Sequence, residues 1–186
     1  VYYLADSNMA DSELDKLSNI TIKAWAFRHG AYDFGSYSKL AINLVGWECI
    51  SQYDELILAN DSCYLIDSLK PVFDKMYASK CDWWGMQATK GLAKTKDKPS
   101  NLFEKNIPIN EVKKSYLQEY ENECFYDFLI GSYFVTFRKN VIAGGELKAL
   151  LESVRPEKSK LNIIRKYEVG LTRLLINSGY NFDTFI

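Results

Sequence analysis

The sequence predicts an α/β fold with a mainly parallel sheet flanked by helices. Short apolar runs of strand length, such as 56–59, alternate along the chain with longer segments whose apolar residues recur at helical spacing, such as 36–50. Of the 186 residues, 47% are hydrophobic and 25% are charged, which is typical of a globular protein with its own core. We therefore expect one α/β domain over residues 1–186.

The first half of the chain alternates predicted strands and helices. Strands are predicted where short apolar or alternating runs end at polar residues, over 1–5, 20–27, 56–59 and 82–87. Helices are predicted where apolar residues return every three or four positions, over 11–17, 36–50 and 66–78. Ser12 is a candidate N-cap of the first helix, and Pro71 suits the first turn of the third. Because Val1 lies inside a strand-like run, we expect the chain to be a piece of a longer protein.

The second half begins with a polar, lysine-rich segment over 89–108. This segment is either a solvated surface loop or a lid over a charged ligand, since loops often carry binding residues. Beyond it, the pattern predicts a helix over 109–123, a strand over 131–137 and helices over 146–154 and 167–177. Gly179 is expected to end the last helix.

The composition argues against several classes of function. The net charge is −1, which provides no basic surface for nucleic acid and no general attraction to acidic membranes. No apolar run approaches the ~20 residues that span a bilayer, so no transmembrane segment is predicted. The four cysteines form no C-x-x-C pair, and with a single histidine they do not predict a zinc site. Scattered cysteines of this kind are typical of reduced thiols in a cytosolic protein.

The first candidate site is the loop that follows the second predicted strand. Gly30 and Gly35 permit a tight turn or the close approach of a ligand. Arg28 could bind a diphosphate through two hydrogen bonds, and Asp33 could accept a hydrogen bond from a ribose or a base. The same segment also fits an ordinary strand-to-helix loop, in which Asp33 or Ser36 caps the next helix.

The second candidate site is Asn60-Asp61-Ser62, directly after the predicted strand 56–59. In open α/β sheets, ligands bind at the carboxyl ends of the strands. Oxygen ligands at that position suit Mg²⁺ or Mn²⁺, which would in turn hold a nucleotide diphosphate. Asn, Asp and Ser are also preferred at helix N-caps, so both interpretations remain open.

The third candidate site is Glu168, near the start of the predicted helix 167–177. A helix N-terminus would keep this carboxylate ionised, and it could then act as a general base towards a hydroxyl. The alternative is that Glu168 only complements the helix dipole.

Three further residues have an ordinary structural explanation as well as a functional one. Trp83 and Trp84 could stack on a sugar ring, but an aromatic pair within a strand is more often part of the core. His29 is the one histidine of the chain, and we expect it to be a loop residue.

These segments together resemble the rhamnan synthesis F family of bacterial polysaccharide glycosyltransferases. The resemblance runs from about residue 20 to the C-terminus, and the set is more specific than any one of its members. The matching segments are Arg28-x-Gly30-x-x-Asp33-Phe34-Gly35, Tyr53–Ser62, Cys81–Gly85, Ser132–Arg138 and Tyr167–Thr172.

The resemblance implies a GT-A-type nucleotide-sugar transferase fold, here lacking its first N-terminal strand. Asn60, Asp61 and Ser62 take the place of its metal-binding Asp-x-Asp motif, with Asp61 as the ligand of Mg²⁺ or Mn²⁺. Glu168 would be the base that deprotonates the acceptor hydroxyl in an inverting reaction. The expected donor-binding residues are Arg28, Gly30, Asp33, Gly35, Asn60, Asp61, Ser62 and Trp84.

The implied partners are a nucleotide-sugar donor, dTDP-rhamnose, and a saccharide acceptor. The acceptor would be a growing cell-surface polysaccharide or lipopolysaccharide. We expect a cytoplasmic location, with peripheral association at the inner face of the bacterial membrane through a polysaccharide assembly complex.

The sequence departs from the family pattern at two places. Leu129-Ile130-Gly131 stands where the family usually carries His-Leu-Gln, and the metal motif contains one carboxylate where such folds often have two. These departures favour an alternative function, a non-catalytic transferase-like module that binds a saccharide or scaffolds a complex. A third interpretation is an unrelated α/β nucleotide-binding domain in which Asn60 and Asp61 only cap a helix.

Overall fold

The computed structural model describes residues 1–89 and 129–186, which form two compact units. The first unit comprises Val1–Leu56 and Arg138–Leu171, and the second comprises Ile57–Phe137 and Thr172–Ile186. Apart from Thr89, the predicted loop 89–108 and the predicted helix 109–123 lie outside the described residues. The expectation of one domain over 1–186 stays a prediction.

The first unit begins with a two-stranded parallel sheet. Strand β1 (Tyr2–Ala5) pairs in parallel with β2 (Lys23–Ala26), and helix α1 (Asp11–Asp15) lies in the connection between them. Helix α2 (Tyr32–Ser38) follows and continues into a π-helical turn, π1 (Lys39–Leu44). The short helix α3 (Trp47–Ile50) completes this part of the unit.

Four further helical segments complete the first unit after the chain returns at Arg138. They are α5 (Lys139–Gly144), α6 (Glu146–Ser153), α7 (Lys160–Ile163) and the π-helical turn π2 (Ile164–Glu168). Leu147 and Leu151 on α6 are fully buried, since they lie on one face at helical spacing. The Ser38 hydroxyl at the end of α2 donates to the carbonyl of Leu151 at 2.6 Å, which joins α2 to α6.

The second unit is built around a mixed four-stranded sheet in the order β3-β7-β4-β8. These strands are β3 (Glu55–Ala59), β4 (Trp83–Gly85), β7 (Phe134–Arg138) and β8 (Phe182–Thr184). Helix α4 (Lys70–Ala78) packs Val72 and Met76 against the core beside this sheet. Strand β5 (Ala88–Thr89), which follows β4 in the sequence, pairs in antiparallel fashion with β6 (Leu129–Ile130), which precedes β7. Helix α8 (Val169–Asn177) ends just before Gly179, which has a φ of +85°. The chain then enters β8.

The mixture of helices and strands confirms the predicted α/β class. The described strands, however, do not form a mainly parallel sheet. In the four-stranded sheet, β4 is antiparallel to β7 and parallel to β8. Apolar alternation marks a strand without marking its direction, so the sequence pattern carried no information on this point. Whether the fold is of GT-A type stays a prediction.

The predicted strands 1–5, 20–27 and 82–87 are confirmed with shorter bounds, and the strand predicted over 56–59 begins one residue earlier, at Glu55. Several helix limits were wrong. The predicted helix 36–50 begins earlier, at Tyr32, and is divided near Gly46. The predicted helix 66–78 begins only at Lys70, with Pro71 in its first turn as expected. Ser12 is not an N-cap, because Ala10 occupies that position. Helices α5 and α7 and strand β8 are short segments that the sequence analysis missed.

No helix in the described part of the chain is long and apolar enough to cross a membrane.

Replacing Trp84 by Ala should destabilise the protein by about 3–5 kcal/mol, because a large buried ring is lost from a closed core. Trp84 is 1% exposed and lies beside Phe73 and Phe134. The control is Tyr64→Ala, since Tyr64 is 94% exposed and its loss should change stability by less than about 0.5 kcal/mol. Urea unfolding of both variants measures the difference, and equal stabilities would contradict this packing.

Candidate functional site

The first unit contains a cavity of about 600 Å³. It lies at the loop after β2 and is lined by that loop, the end of α2, the turn π1 and the segment that follows α6. The lining residues are Phe27, Arg28, His29, Ala31, Gly35, Ser38, Lys39, Ile42, Asn43, Glu152, Val154, Arg155 and Pro156. This volume falls in the range of about 300–1,000 Å³ that is typical of small-molecule sites.

The lining of this cavity is electropositive. Arg28, Lys39 and Arg155 contribute three positive charges, against one carboxylate, Glu152. The Glu152 carboxylate also lies 3.7 Å from the ammonium of Lys148, which offsets part of its charge. Phe27, Ile42 and Val154 add an apolar surface. A mixture of cationic and apolar groups suits a ligand with a phosphate and an organic part.

Asp6, directly after β1, fixes the backbone of the Arg28 loop. Its Oδ1 accepts hydrogen bonds from the backbone N–H groups of His29 at 2.7 Å and Gly30 at 3.3 Å. Burial alone would raise the pKa of Asp6, but these hydrogen bonds and the nearby charge of Arg28 outweigh it and lower the pKa. Asp6 is therefore ionised at neutral pH and holds the loop as an anion.

His29 lies in the loop after β2, as the sequence predicted, and its buried side chain forms a wall of the cavity. Its side chain is 4% exposed. Its Nε2 lies 3.0 Å from the Ser36 hydroxyl, and its Nδ1 accepts from the backbone N–H of Ala31 at 3.3 Å. Burial lowers the pKa of His29, and the charge of Lys39 lowers it further, while Asp6 opposes them. The imidazole is therefore neutral, with its proton on Nε2 in the arrangement that satisfies both hydrogen bonds.

Gly35 must be glycine because the His29 ring occupies the space of a side chain. A Cβ at residue 35 would lie 2.5 Å from Nδ1 of His29 and 2.6 Å from the Ala31 Cβ. The sequence indicated a tight turn or the close approach of a ligand at Gly35, whereas the group that approaches it closely is this imidazole. Of the predicted loop residues, Arg28 and Gly35 line the cavity, whereas Gly30 and Asp33 lie outside its lining.

The alternative that Asp33 or Ser36 caps the next helix does not hold. Helix α2 begins at Tyr32, so both residues lie within it, and no side chain caps its start. The Ser36 hydroxyl is instead the partner of His29.

Tyr167 connects two of the candidate segments within the first unit. Its ring stacks on Phe34, with centroids 5.9 Å apart and an angle of 30° between the planes. Its hydroxyl accepts from the backbone N–H of Arg155 at 3.0 Å and lies 3.3 Å from the carbonyl of Ser153, to which it donates. Tyr167 therefore holds α2 and the cavity segment at Arg155 together.

Glu168 is half-buried at the last position of π2, and it is not at the start of a helix as predicted. The helical run begins at Lys160, where Ser159 is the N-cap and its hydroxyl accepts from the backbone N–H of Asn162 at 3.3 Å. Stabilisation of the Glu168 carboxylate by a helix N-terminus is therefore not available. The role of Glu168 as a base stays a prediction.

Asn60, Asp61 and Ser62 form a turn at the end of β3, in the second unit. The Asn60 side-chain oxygen accepts from the backbone N–H of Ser62 at 2.9 Å, and the Asn60 N–H donates to the carbonyl of Tyr133 at 3.0 Å. The next helix begins only at Lys70, so these residues do not cap it. Asp61 is exposed to solvent.

The oxygen donors at this turn are of the type that Mg²⁺ and Mn²⁺ prefer. Within residues 1–89 and 129–186, no group of three or more His, Cys, Asp or Glu side chains could hold a metal ion. Magnesium is often held by one or two carboxylates together with substrate phosphates and water. A metal at Asp61 therefore stays a prediction, and it would take most of its ligands from substrate phosphates and water.

Two other segments singled out in the sequence belong to the core of the second unit. The position of Trp84 favours the core interpretation over stacking on a sugar, because its ring is enclosed by other aromatic side chains. Leu129 and Ile130, which depart from the family pattern, are buried in β6, where the Ile130 N–H donates to the Thr172 hydroxyl at 3.0 Å. Aliphatic side chains at these two positions fit their buried environment.

Comparison with known proteins identifies the family. The model of the rhamnan synthesis protein F family matches residues 1–186, the whole chain. This chain therefore belongs to that family, and membership implies a role in rhamnan synthesis, a form of polysaccharide biosynthesis. No curated protein and no solved structure matches the chain significantly.

Several residues that build the cavity could not be identified from the sequence. Asp6 and Tyr167 act through contacts with residues far along the chain, which no local pattern reveals. Lys39 and Arg155 could have been noticed only as single cations, with no spacing to link them to Arg28. For His29 one signal was present in the sequence, namely Gly35, because a glycine can mark a position where another group packs closely against the backbone.

The stability of the protein should fall as the pH is lowered below the ordinary His29 pKa of 6.5. The folded protein holds the imidazole neutral, so the unfolded chain binds the proton more readily and is stabilised relative to the folded protein as the pH falls. His29→Gln should remove this loss of stability between about pH 7 and about pH 5.5. The chain has a single histidine, so no other histidine contributes.

Urea unfolding at several pH values measures this effect. Asp6→Asn is the matched control, and this variant should still lose stability between about pH 7 and about pH 5.5. The Asp6 pKa lies below its ordinary value of 3.8, so the stability that the Asp6 carboxylate contributes is lost only in stronger acid. A wild-type stability that stays constant from about pH 7 to about pH 5.5 would show that His29 is not buried as described.

Proposed function

We propose that this chain is a glycosyltransferase domain that transfers rhamnose from dTDP-rhamnose to a growing bacterial cell-surface polysaccharide or lipopolysaccharide. The observation that carries the proposal is the match of the whole chain, residues 1–186, to the rhamnan synthesis protein F family. The electropositive cavity at the Arg28 loop supports it, because a nucleotide-sugar donor carries a diphosphate.

In the proposed reaction, the cavity binds the donor. The Arg28 guanidinium holds the diphosphate and neutralises the charge that develops as it leaves. Phe27 and Ile42 supply an apolar surface for the organic part of the donor. The Asp6 and His29 hydrogen bonds fix this loop before the donor arrives, so little ordering is left to occur on binding.

Glu168 is the proposed general base. Its carboxylate takes the proton from an acceptor hydroxyl, and the hydroxyl oxygen forms a bond to the anomeric carbon of the sugar. The bond from that carbon to the diphosphate oxygen breaks, and its electron pair leaves with dTDP. Attack from the face opposite the leaving group inverts the configuration.

A second candidate function is a non-catalytic module that binds a saccharide or scaffolds the assembly complex. The observation that favours it is the single exposed carboxylate, Asp61, where transferases of this type hold a metal. Transfer activity separates the two functions.

Glu168→Gln should lower turnover by about 10²–10⁴-fold, since the amide cannot accept the proton, and should leave dTDP affinity within about twofold. The measurement is rhamnose transfer from dTDP-rhamnose together with calorimetric titration of dTDP. Glu48→Gln, an exposed change on α3, is the matched control and should leave both quantities unchanged. Near-normal turnover in the Glu168 variant would remove Glu168 from the role of base.

Asp61→Ala should weaken dTDP binding only when Mn²⁺ is present, if Asp61 and the diphosphate share the cation. Calorimetric titration of dTDP and of UDP, with and without Mn²⁺, measures this and identifies the nucleotide of the donor. Asp67→Ala, in the exposed segment before α4, is the control. Equal affinities with and without Mn²⁺ would contradict a metal at Asp61.

A further inference from the structure

We propose that Lys39 and Arg155 join Arg28 in binding the diphosphate of the donor, and that Tyr167 is the residue that positions Arg155. The proposal rests on the proposed function for the identity of the ligand. It adds a set of phosphate-binding residues that lie far apart in the sequence.

The three cations reach the cavity from three separate segments of the first unit. Arg28 lies in the loop after β2, Lys39 at the start of π1 and Arg155 two residues beyond the end of α6. Within the described part of the chain, none of the three forms an ion pair. A diphosphate presents oxygens in several directions, so cations on separate walls can each bind one of its phosphoryl groups.

The π-helical turn places Lys39 on the cavity face. Lys39, Ile42 and Asn43 all line the cavity, which is the i, i+3, i+4 spacing of one helix face. The turn is closed by a hydrogen bond of 2.9 Å from the Val45 N–H to the Leu40 carbonyl, a π-helical pairing. π-helical turns inside helices are found frequently at functional sites.

The Arg155 side chain is partly fixed by the helix that precedes it. Its Nη1 donates to the carbonyls of Glu152 and Val154, each at 2.8 Å. A guanidinium has five N–H donors, so these two bonds leave Nε and Nη2 as a pair of donors on one edge. That edge matches two oxygens of a phosphoryl group.

Tyr167 sets the position of the Arg155 backbone. Its hydroxyl accepts from the Arg155 N–H at 3.0 Å, while its ring stacks on Phe34, the neighbour of the cavity residue Gly35. Tyr167 is 6% exposed, so its side chain is a fixed support between these segments. It does not itself line the cavity.

The test is calorimetric titration of inorganic pyrophosphate and of dTDP into the whole chain. Lys39→Gln and Arg155→Gln should each weaken pyrophosphate binding by about 3- to 30-fold, the loss expected for a charged hydrogen bond in an open, solvated site. Arg155→Lys should retain part of the affinity. Lys80→Gln, an exposed change in the second unit, is the control and should bind as the wild type does.

Tyr167→Phe keeps the ring that stacks on Phe34 and removes only the hydroxyl. It should weaken pyrophosphate binding by about threefold or more, and combining it with Arg155→Gln should add nothing to the loss of Arg155 alone. Additive losses in the double variant would show that Tyr167 does not act through Arg155. In transfer assays these variants should raise the donor KM more than they lower kcat.

The outcomes separate this inference from the proposed function. If pyrophosphate binding depends on Lys39 and Arg155 but no rhamnose is transferred, the phosphate site is supported and the proposed transferase function is overturned. Rhamnose transfer with unchanged binding in the Lys39 and Arg155 variants overturns the phosphate site alone. A wild-type chain that does not bind pyrophosphate also overturns the phosphate site.

Discussion

The buried imidazole of His29 is the contact on which the cavity of the first unit depends. It fills the space that a side chain at residue 35 would need, and its nitrogens bond to Ala31 just before α2 and to Ser36 within α2. Asp6 fixes the backbone of the same turn from β1. Because the ring is neutral, it holds this geometry without placing another charge beside Arg28 and Lys39. The loop that carries Arg28 is therefore held in place by hydrogen bonds within the protein.

The two segments that resemble the family within this unit are one physical assembly. Phe34 lies in the first segment and Tyr167 in the last, and their rings stack. The hydroxyl of Tyr167 then reaches the backbone at Arg155, in a segment that no motif had marked. Tyr167 is adjacent to Glu168, so the residue that supports the proposed phosphate site is joined by one peptide bond to the proposed base. This arrangement gives a physical reason for a Tyr-Glu pair at that point of the chain.

The sequence predicted what depends on local pattern and missed what depends on distant contacts. The strand before Asn60 and the glycine end of the last helix follow from apolar runs and from the backbone freedom of Gly179, and the structure contains both. Arg28 and Gly35 were chosen from the glycine spacing, and both line the cavity. Strand direction, the early start of the helix before Glu168 and the role of His29 could not be predicted, because each is decided by packing against residues remote in the sequence.

The cavity of the first unit is the proposed binding site of the nucleotide donor. Hydrogen–deuterium exchange of the whole chain, with and without saturating dTDP, tests it most directly, because exchange reports protection segment by segment. If dTDP binds in this cavity, exchange should slow over 27–43 and 152–156. Binding of dTDP that leaves exchange in both of these segments unchanged would contradict it.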